Sequence, residues 1–152
     1  MTETRSLRVA FLGNDAWSVP SLVTLARSPH HVVAVVTAEP KPAGRGNELM
    51  PTPVALEAER LDLPLLQTST VRTGQGFKDL STARPDVLAV VAYGELLTPN
   101  VLHVPTIAPV NVHFSLLPQL RGAARSRPRS SPGSRRPGSR RCSWTRASTR
   151  VR

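Results

Sequence analysis

Three short runs decide what this chain can become. Residues 7–12 (LRVAFL), 31–37 (HVVAVVT) and 86–92 (DVLAVVA) are apolar almost without interruption and rich in β-branched side chains. A strand with one wet face alternates apolar and polar residues. An unbroken run of this length suits a strand covered on both faces, as in a parallel sheet with helices on either side. Gly13 follows the first run and suits a tight turn. Asp15 or Ser18 could cap the next segment, and Pro20 fits a first helical turn. Leu22, Val23 and Leu25 then give a short helix a buried face. Residues 54–61 and 76–82 read as further helices, and 63–66 and 108–113 as further strands. Residues 39–53 hold four prolines and two glycines and read as loop.

Strands alternating with helices imply a doubly wound, mostly parallel, Rossmann-like α/β sheet, here incomplete. In such sheets a ligand sits beyond the carboxyl ends of the strands. Those ends carry Gly13-Asn14-Asp15, Tyr93-Gly94 and Asn111-Val112-His113.

Charge divides the chain in two. Residues 1–122 carry ten Lys/Arg and all ten Asp/Glu, so that body is formally neutral. Residues 123–152 carry ten Arg and no acid, so the net charge of +10 belongs to the tail alone. Arg, Ser, Pro and Gly make up 22 of the last 28 residues, with no apolar periodicity to offset the entropy of ordering them. The expected division is therefore 1–124, a partial N-terminal domain, and 125–152, a disordered basic tail. The single Cys, Cys142, allows no disulfide within the chain and no Cys-rich zinc pattern. His30, His31 and His103 show no metal-ligand spacing with an acid, so no metal is expected. The N-terminus lacks a signal peptide's apolar region, and no run approaches a membrane span. The expectation is a cytoplasmic monomer with no membrane partner.

Asn111 and His113 share one face of a strand because their spacing is two. An Asn amide can hold a carbonyl oxygen as it becomes an oxyanion. A neighbouring imidazole can move a proton near neutral pH. Equally, the pair reads as a strand-end Asn in a turn beside a hydrogen-bonded His. Residues 41–46 (KPAGRG) form a basic, glycine-rich segment, either an exposed linker or a mobile arm whose Arg45 meets a phosphate backbone. Gly13-Asn14-Asp15 lacks the glycine pattern of a dinucleotide site, which argues against NAD.

The stretch NVHFSLLPQLRGAA (111–124) resembles the signature of the formyltransferases that use 10-formyltetrahydrofolate, a group that includes glycinamide ribonucleotide formyltransferases. LRVAFLGNDAWSVPSLVTL (7–25), PAGRGNELMPTPV (42–54) and VVAYGELLTP (90–99) narrow the resemblance to the methionyl-tRNA formyltransferase family. The resemblance implies formyl transfer from 10-formyltetrahydrofolate to the amino group of methionyl initiator tRNA. It implies that Asn111 stabilises the oxyanion and that His113 assists proton transfer. It implies that Ser115, Leu116, Leu117 and Pro118 contact the folate, with Val91, Ala92, Tyr93 and Gly94 lining the pterin pocket. Arg45 and Lys41 would hold the tRNA acceptor end. The alternatives are a related enzyme acting on glycinamide ribonucleotide or a nucleotide sugar, and a non-catalytic remnant binding RNA through its Arg-rich tail.

The chain departs from the family after Ala124. The family carries a third catalytic residue, an Asp in a Gly-Leu-Asp-Thr-Gly motif past the His, whereas the last acidic residue here is Glu95. The departure implies that the fragment as written is inactive. Trp has a single codon, so Trp144-Thr145 read from the final base of TGG gives an Asp codon. With allowed codons, the same frame across residues 142–152 can read Val-Leu-Val-Asp-Ala-Gly-Leu-Asp-Thr-Gly-Pro. The tail therefore reads as out-of-frame translation.

Overall fold

The computed structural model describes residues 5–113. The chain order is β1 (Arg8–Leu12), a 3-10 turn (Ala16–Ser18), α1 (Val19–Ala26), β2 (His31–Thr37), β3 (Lys41–Ala43), β4 (Glu48–Met50), α2 (Pro53–Arg60), β5 (Leu65–Gln67), α3 (Gly74–Thr82), β6 (Val87–Val91), α4 (Pro99–Leu102) and β7 (Ala108–Val112). Five strands form one sheet in the order β5-β2-β1-β6-β7, and every pairing in it is parallel. The expected doubly wound sheet is present, with β1 at its centre.

Alternate residues of each strand feed two separate cores. On one face Ala10, Leu12, Ala34, Val36 and Leu88 pack with Leu80 of α3 and Val101 of α4. On the other face Val9, Phe11, Val35, Ala89 and Val91 pack with Leu22 of α1 and with Val54 and Ala58 of α2. This two-faced burial explains why the three founding runs lack polar residues. The apolar face of α1 is built from Val19, Leu22 and Leu25. Val23 is only half-buried and stands outside that cluster.

Several local expectations need correction. Residues 39–53 are not all loop, because β3 and β4 pair antiparallel, with Lys41 opposite Met50 and Ala43 opposite Glu48. Pro42 is tolerated in β3 because this ribbon is two-stranded, exposed throughout and separate from the main sheet. β5 begins two residues later than its apolar run suggested, and α3 begins two residues earlier. The one-turn helix α4 had no periodic signal, being too short to show one. Neither proposed cap residue caps with its side chain. Asp15 makes no such bond, and the Ser18 hydroxyl instead reaches the Val91 carbonyl at 2.6 Å. Thr52 does cap α2, accepting from the Ala55 amide at 3.0 Å.

At the far edge of the sheet from its carboxyl ends, Asp86 ties strands together. It accepts from the Arg8 amide at 3.0 Å and from the Thr106 hydroxyl at 2.8 Å. These donors hold its carboxyl below the ordinary carboxylate range, the Arg8 backbone bond contributing most. The expected boundary at residue 124 and the basic tail lie outside the described residues.

Gly76 gives a sharp test of the packing of α3. A Cβ there would lie 2.2 Å from the Thr70 carbonyl oxygen and 2.5 Å from the Thr68 hydroxyl. In an exposed helix Gly→Ala would stabilise by about 1 kcal/mol. Here the clash reverses the sign, and Gly76→Ala is expected to cost about 1–3 kcal/mol. Urea denaturation should show a lower midpoint at unchanged slope. A midpoint at or above that of the parent would show that α3 can lift away freely.

Candidate functional site

The strand order places a topological switch point beside β1. The chain leaves β1 for β2 and β5 on one side, then returns to β6 and β7 on the other. Loops diverge above such a point and leave a crevice. Two overlapping clefts of about 320 and 350 Å³ occupy it. Both are lined by Asn14 after β1, Ala38 and Lys41 around the end of β2, and Tyr93 and Gly94 after β6. The first extends to Asp15, Glu39, Met50 and Thr52, and the second to Thr68, Ser69 and Glu95.

A chain of side-chain hydrogen bonds crosses the floor. The Ala38 amide can only donate, and it meets Asn14 Oδ1 at 2.8 Å. That contact fixes the carboxamide orientation, so Asn14 Nδ2 donates to the Tyr93 carbonyl. The buried Thr37 hydroxyl also donates to Asn14 Oδ1, at 3.0 Å. Its proton is thereby committed, so the Thr52 hydroxyl donates to Thr37 Oγ1 across 2.6 Å. Thr52 Oγ1 accepts in turn from the first turn of α2. One line of bonds therefore joins the ends of β1, β2 and β6 to a helix N-terminus.

The β6 wall has an unusual backbone. Ala92 has φ 47° and Gly94 has φ 82°, so Tyr93 sits between two left-handed residues. A non-glycine residue in that region costs energy and persists where its surroundings over-determine it. The restraint is visible on either side. Ser18 holds the Val91 carbonyl and Asn14 holds the Tyr93 carbonyl. Gly13 permits this close approach, because a Cβ there would lie 2.8 Å from the Val91 oxygen. Tyr93 is 5% exposed, its ring packed into the core, and the nearby Glu95 carboxylate accepts from the Thr70 hydroxyl.

Ala92, Tyr93, Gly94 and Lys41 thus meet in one place. Val91 does not join them, because its side chain is wholly buried in the core beside α1 and α2. Arg45 sits at the exposed tip of the β3–β4 ribbon, beyond the cleft lining. Asn111 lies on β7 opposite Val90, and His113 follows the end of β7. Both stand at the carboxyl edge next to the β6 wall, Asn111 exposed and His113 half-buried. Ser115, Leu116, Leu117 and Pro118 lie outside the described residues. Among the described residues no three His, Cys, Asp or Glu side chains form a metal-binding group. Nor is any described helix long and apolar enough to cross a membrane.

Sequence reasoning placed Asn14 at a ligand-facing strand end but gave it no role, and it missed Thr37, Thr52 and Glu95 as lining or floor residues. Nothing local marked Thr37 or Thr52, whose roles depend on each other across 15 residues.

Burial pushes the Tyr93 phenol up, and the Glu95 carboxylate adds to the shift. Tyr93 is the only tyrosine in the chain, so its phenolate absorbance reports it alone. In the unfolded chain the phenol ionises near pH ~10. Because the folded group keeps its proton beyond that point, its contribution is complete below pH ~10 and is lost as pH rises further. Phenolate absorbance in the native chain should appear only above the ordinary range. Tyr93→Phe should flatten the alkaline fall in thermal midpoint. An ordinary titration in the folded chain would place the ring in water.

A family model described as formyl transferase matches residues 7–138. The methionyl-tRNA formyltransferase of Rhodopseudomonas palustris strain BisB18 is 48% identical over 118 residues, which is 78% of this chain and 38% of that protein. The enzyme of that name from Pseudomonas syringae pv. tomato is 43% identical over 121 residues, covering 80% and 38%. The chain thus spans under two fifths of the length of these relatives. Among solved structures, glycinamide ribonucleotide transformylase 1 from Geobacillus kaustophilus aligns with a TM-score of 0.59 at 21% identity, covering 79% of this chain and 64% of that one. Phosphoribosylglycinamide formyltransferase from Bacillus halodurans aligns at 0.58 and 18%, covering 77% and 61%. These two likenesses concern the fold alone.

Proposed function

Because the chain belongs to the formyl transferase family, we propose that it corresponds to the cosubstrate-binding and catalytic-strand part of a methionyl-tRNA formyltransferase. The observation that carries this reading is the 43–48% identity to relatives of that name over nearly the whole described region. The glycinamide ribonucleotide enzymes share the fold at 15–21% identity, too little to assign their substrate.

In the proposed reaction the amino nitrogen of methionine on initiator tRNA attacks the formyl carbon of 10-formyltetrahydrofolate. A new C–N bond forms, and the bond from the formyl carbon to N10 of the folate breaks. The amine gives up a proton and N10 takes one, leaving formylmethionyl-tRNA and tetrahydrofolate. Asn111 would donate its amide hydrogen to the formyl oxygen as charge develops there. His113 would accept and pass on the proton. The switch-point cleft, with a polar floor and the Tyr93 wall, would receive the folate. Lys41 at its rim and Arg45 on the ribbon would meet the tRNA phosphates. The protein would work in the cytoplasm, as a monomer and without a metal.

The proposal extends to the tail. Residues 125–152 are read as the family's own coding sequence translated in a shifted frame, with the missing Asp hidden across Ser148 and Thr149. The first experiment is to sequence the gene from the Asn111 codon past the stop. One base gained or lost near the Ala124 codon is the expected result, and an intact frame would remove this part of the reading. The 152-residue chain itself, lacking that Asp, is expected to formylate methionyl-tRNA at least about a hundredfold more slowly than a full-length relative. Transfer at a comparable rate, measured as formylmethionyl-tRNA formed per minute, would overturn the assignment of a third catalytic residue.

A further inference from the structure

The residue after Gly13 does more than end a strand. Asn14 hydrogen-bonds to both walls of the cleft. Its Oδ1 accepts from the Ala38 amide and the Thr37 hydroxyl at the end of β2, at 2.8 and 3.0 Å. Its Nδ2 donates to the Tyr93 carbonyl at the end of β6. It lines both overlapping clefts itself.

The two walls have different needs. Ala38 follows a strand that is paired on both sides, so its position is already set by the ladders to β1 and β5. The 92–94 turn is paired in no ladder; its Tyr93 ring is anchored in the core, but two of its three residues are left-handed, at φ 47° and 82°. A turn of this kind holds one conformation only if its carbonyls are tied down. Ser18 ties Val91 from below. At the tip, the tie is the Asn14 amide hydrogen. The carboxamide therefore spans from a rigid wall to a wall that needs fixing, and its length sets the width between them.

We infer that Asn14 is a positioning residue, whose carboxamide holds the Ala92–Gly94 turn at the spacing that lets the cleft accept a flat pterin-type ligand. This rests on the folate reading of the cleft given above for the ligand, though not for the turn. The acceptor half of the amide serves stability, and the donor half serves the site.

That division suggests a pair of variants. Asn14→Asp keeps the shape and both acceptor contacts but removes the donor, and sets a carboxylate against the Tyr93 carbonyl. Thr106→Val removes the hydroxyl bond to Asp86 at the opposite end of the sheet, away from the cleft, and leaves the donor in place. The full 152-residue chain would be measured in two ways. The first is hydrogen exchange of the segment 91–97 without ligand. The second is titration with 5-formyltetrahydrofolate, which binds as a folate but is not the formyl donor of the reaction.

Asn14→Asp is expected to speed exchange in 91–97 and to weaken 5-formyltetrahydrofolate at least about fivefold, the scale of one lost hydrogen bond. Thr106→Val is expected to lower the midpoint while leaving exchange in 91–97 and folate affinity close to the parent. Unchanged exchange in 91–97 for Asn14→Asp overturns the inference. So does an affinity loss that follows the midpoint equally in both variants. If the parent binds no folate, the reading of the cleft fails on its own, and the exchange result still decides whether Asn14 holds the turn.

Discussion

β1 must be apolar on both faces, and most of the architecture follows from that. It is the central strand of a parallel sheet, with β2 on one side and β6 on the other. Ala10 and Leu12 fill one core while Val9 and Phe11 fill the other. A strand so placed has no wet face, so the first polar residue the chain can offer comes where β1 ends. That residue is Asn14. The chain must also leave β1 in one direction and return to it from the other. The carboxyl ends of β1, β2 and β6 therefore frame a crevice, and its floor is polar because polar side chains enter only where the strands end, at Thr37 and Asn14.

The cleft combines two kinds of backbone. The β2 side is continuous with the ladder and needs little help. The β6 side departs from β geometry through two left-handed residues, and it is held by Ser18, by Asn14 and by the Tyr93 ring packed in the core. Strain at such a turn has a use if it presents backbone groups to a ligand in fixed positions. The chemistry proposed for β7 sits next to this wall, since Asn111 pairs with Val90 and Val112 with Val91. Registration between β6 and β7 therefore relates the proposed reacting groups to the proposed ligand wall.

The β3–β4 ribbon contrasts with the sheet. Its residues are exposed on all sides, and two strands of three residues stabilise little by themselves. Lys41 is anchored at the cleft rim, whereas Arg45 is carried out to the tip. Leu49 and Met50 stand exposed on the ribbon, and Met50 also reaches the cleft lining.

The sequence by itself determined the sheet. The runs 7–12, 31–37 and 86–92 state their two-faced burial in their composition, and Pro20 marks a helix start, because these signals are local and depend on one or two turns of chain. The sequence also determined kinship, through motifs that stand in order along residues 7–124. Tertiary structure alone decided the rest. The ribbon in 39–53 was hidden because its pairing is carried by backbone bonds between exposed residues, with no alternation to read. Ser18 looked like a helix cap and turned out to serve Val91, 73 residues away. Asn14, legible only as part of a ligand-facing strand end, gained its role when β2 and β6 closed around it. Hydrogen bonds between distant residues leave no period in a sequence, since their partners are chosen by the packing of strands and not by their spacing along the chain.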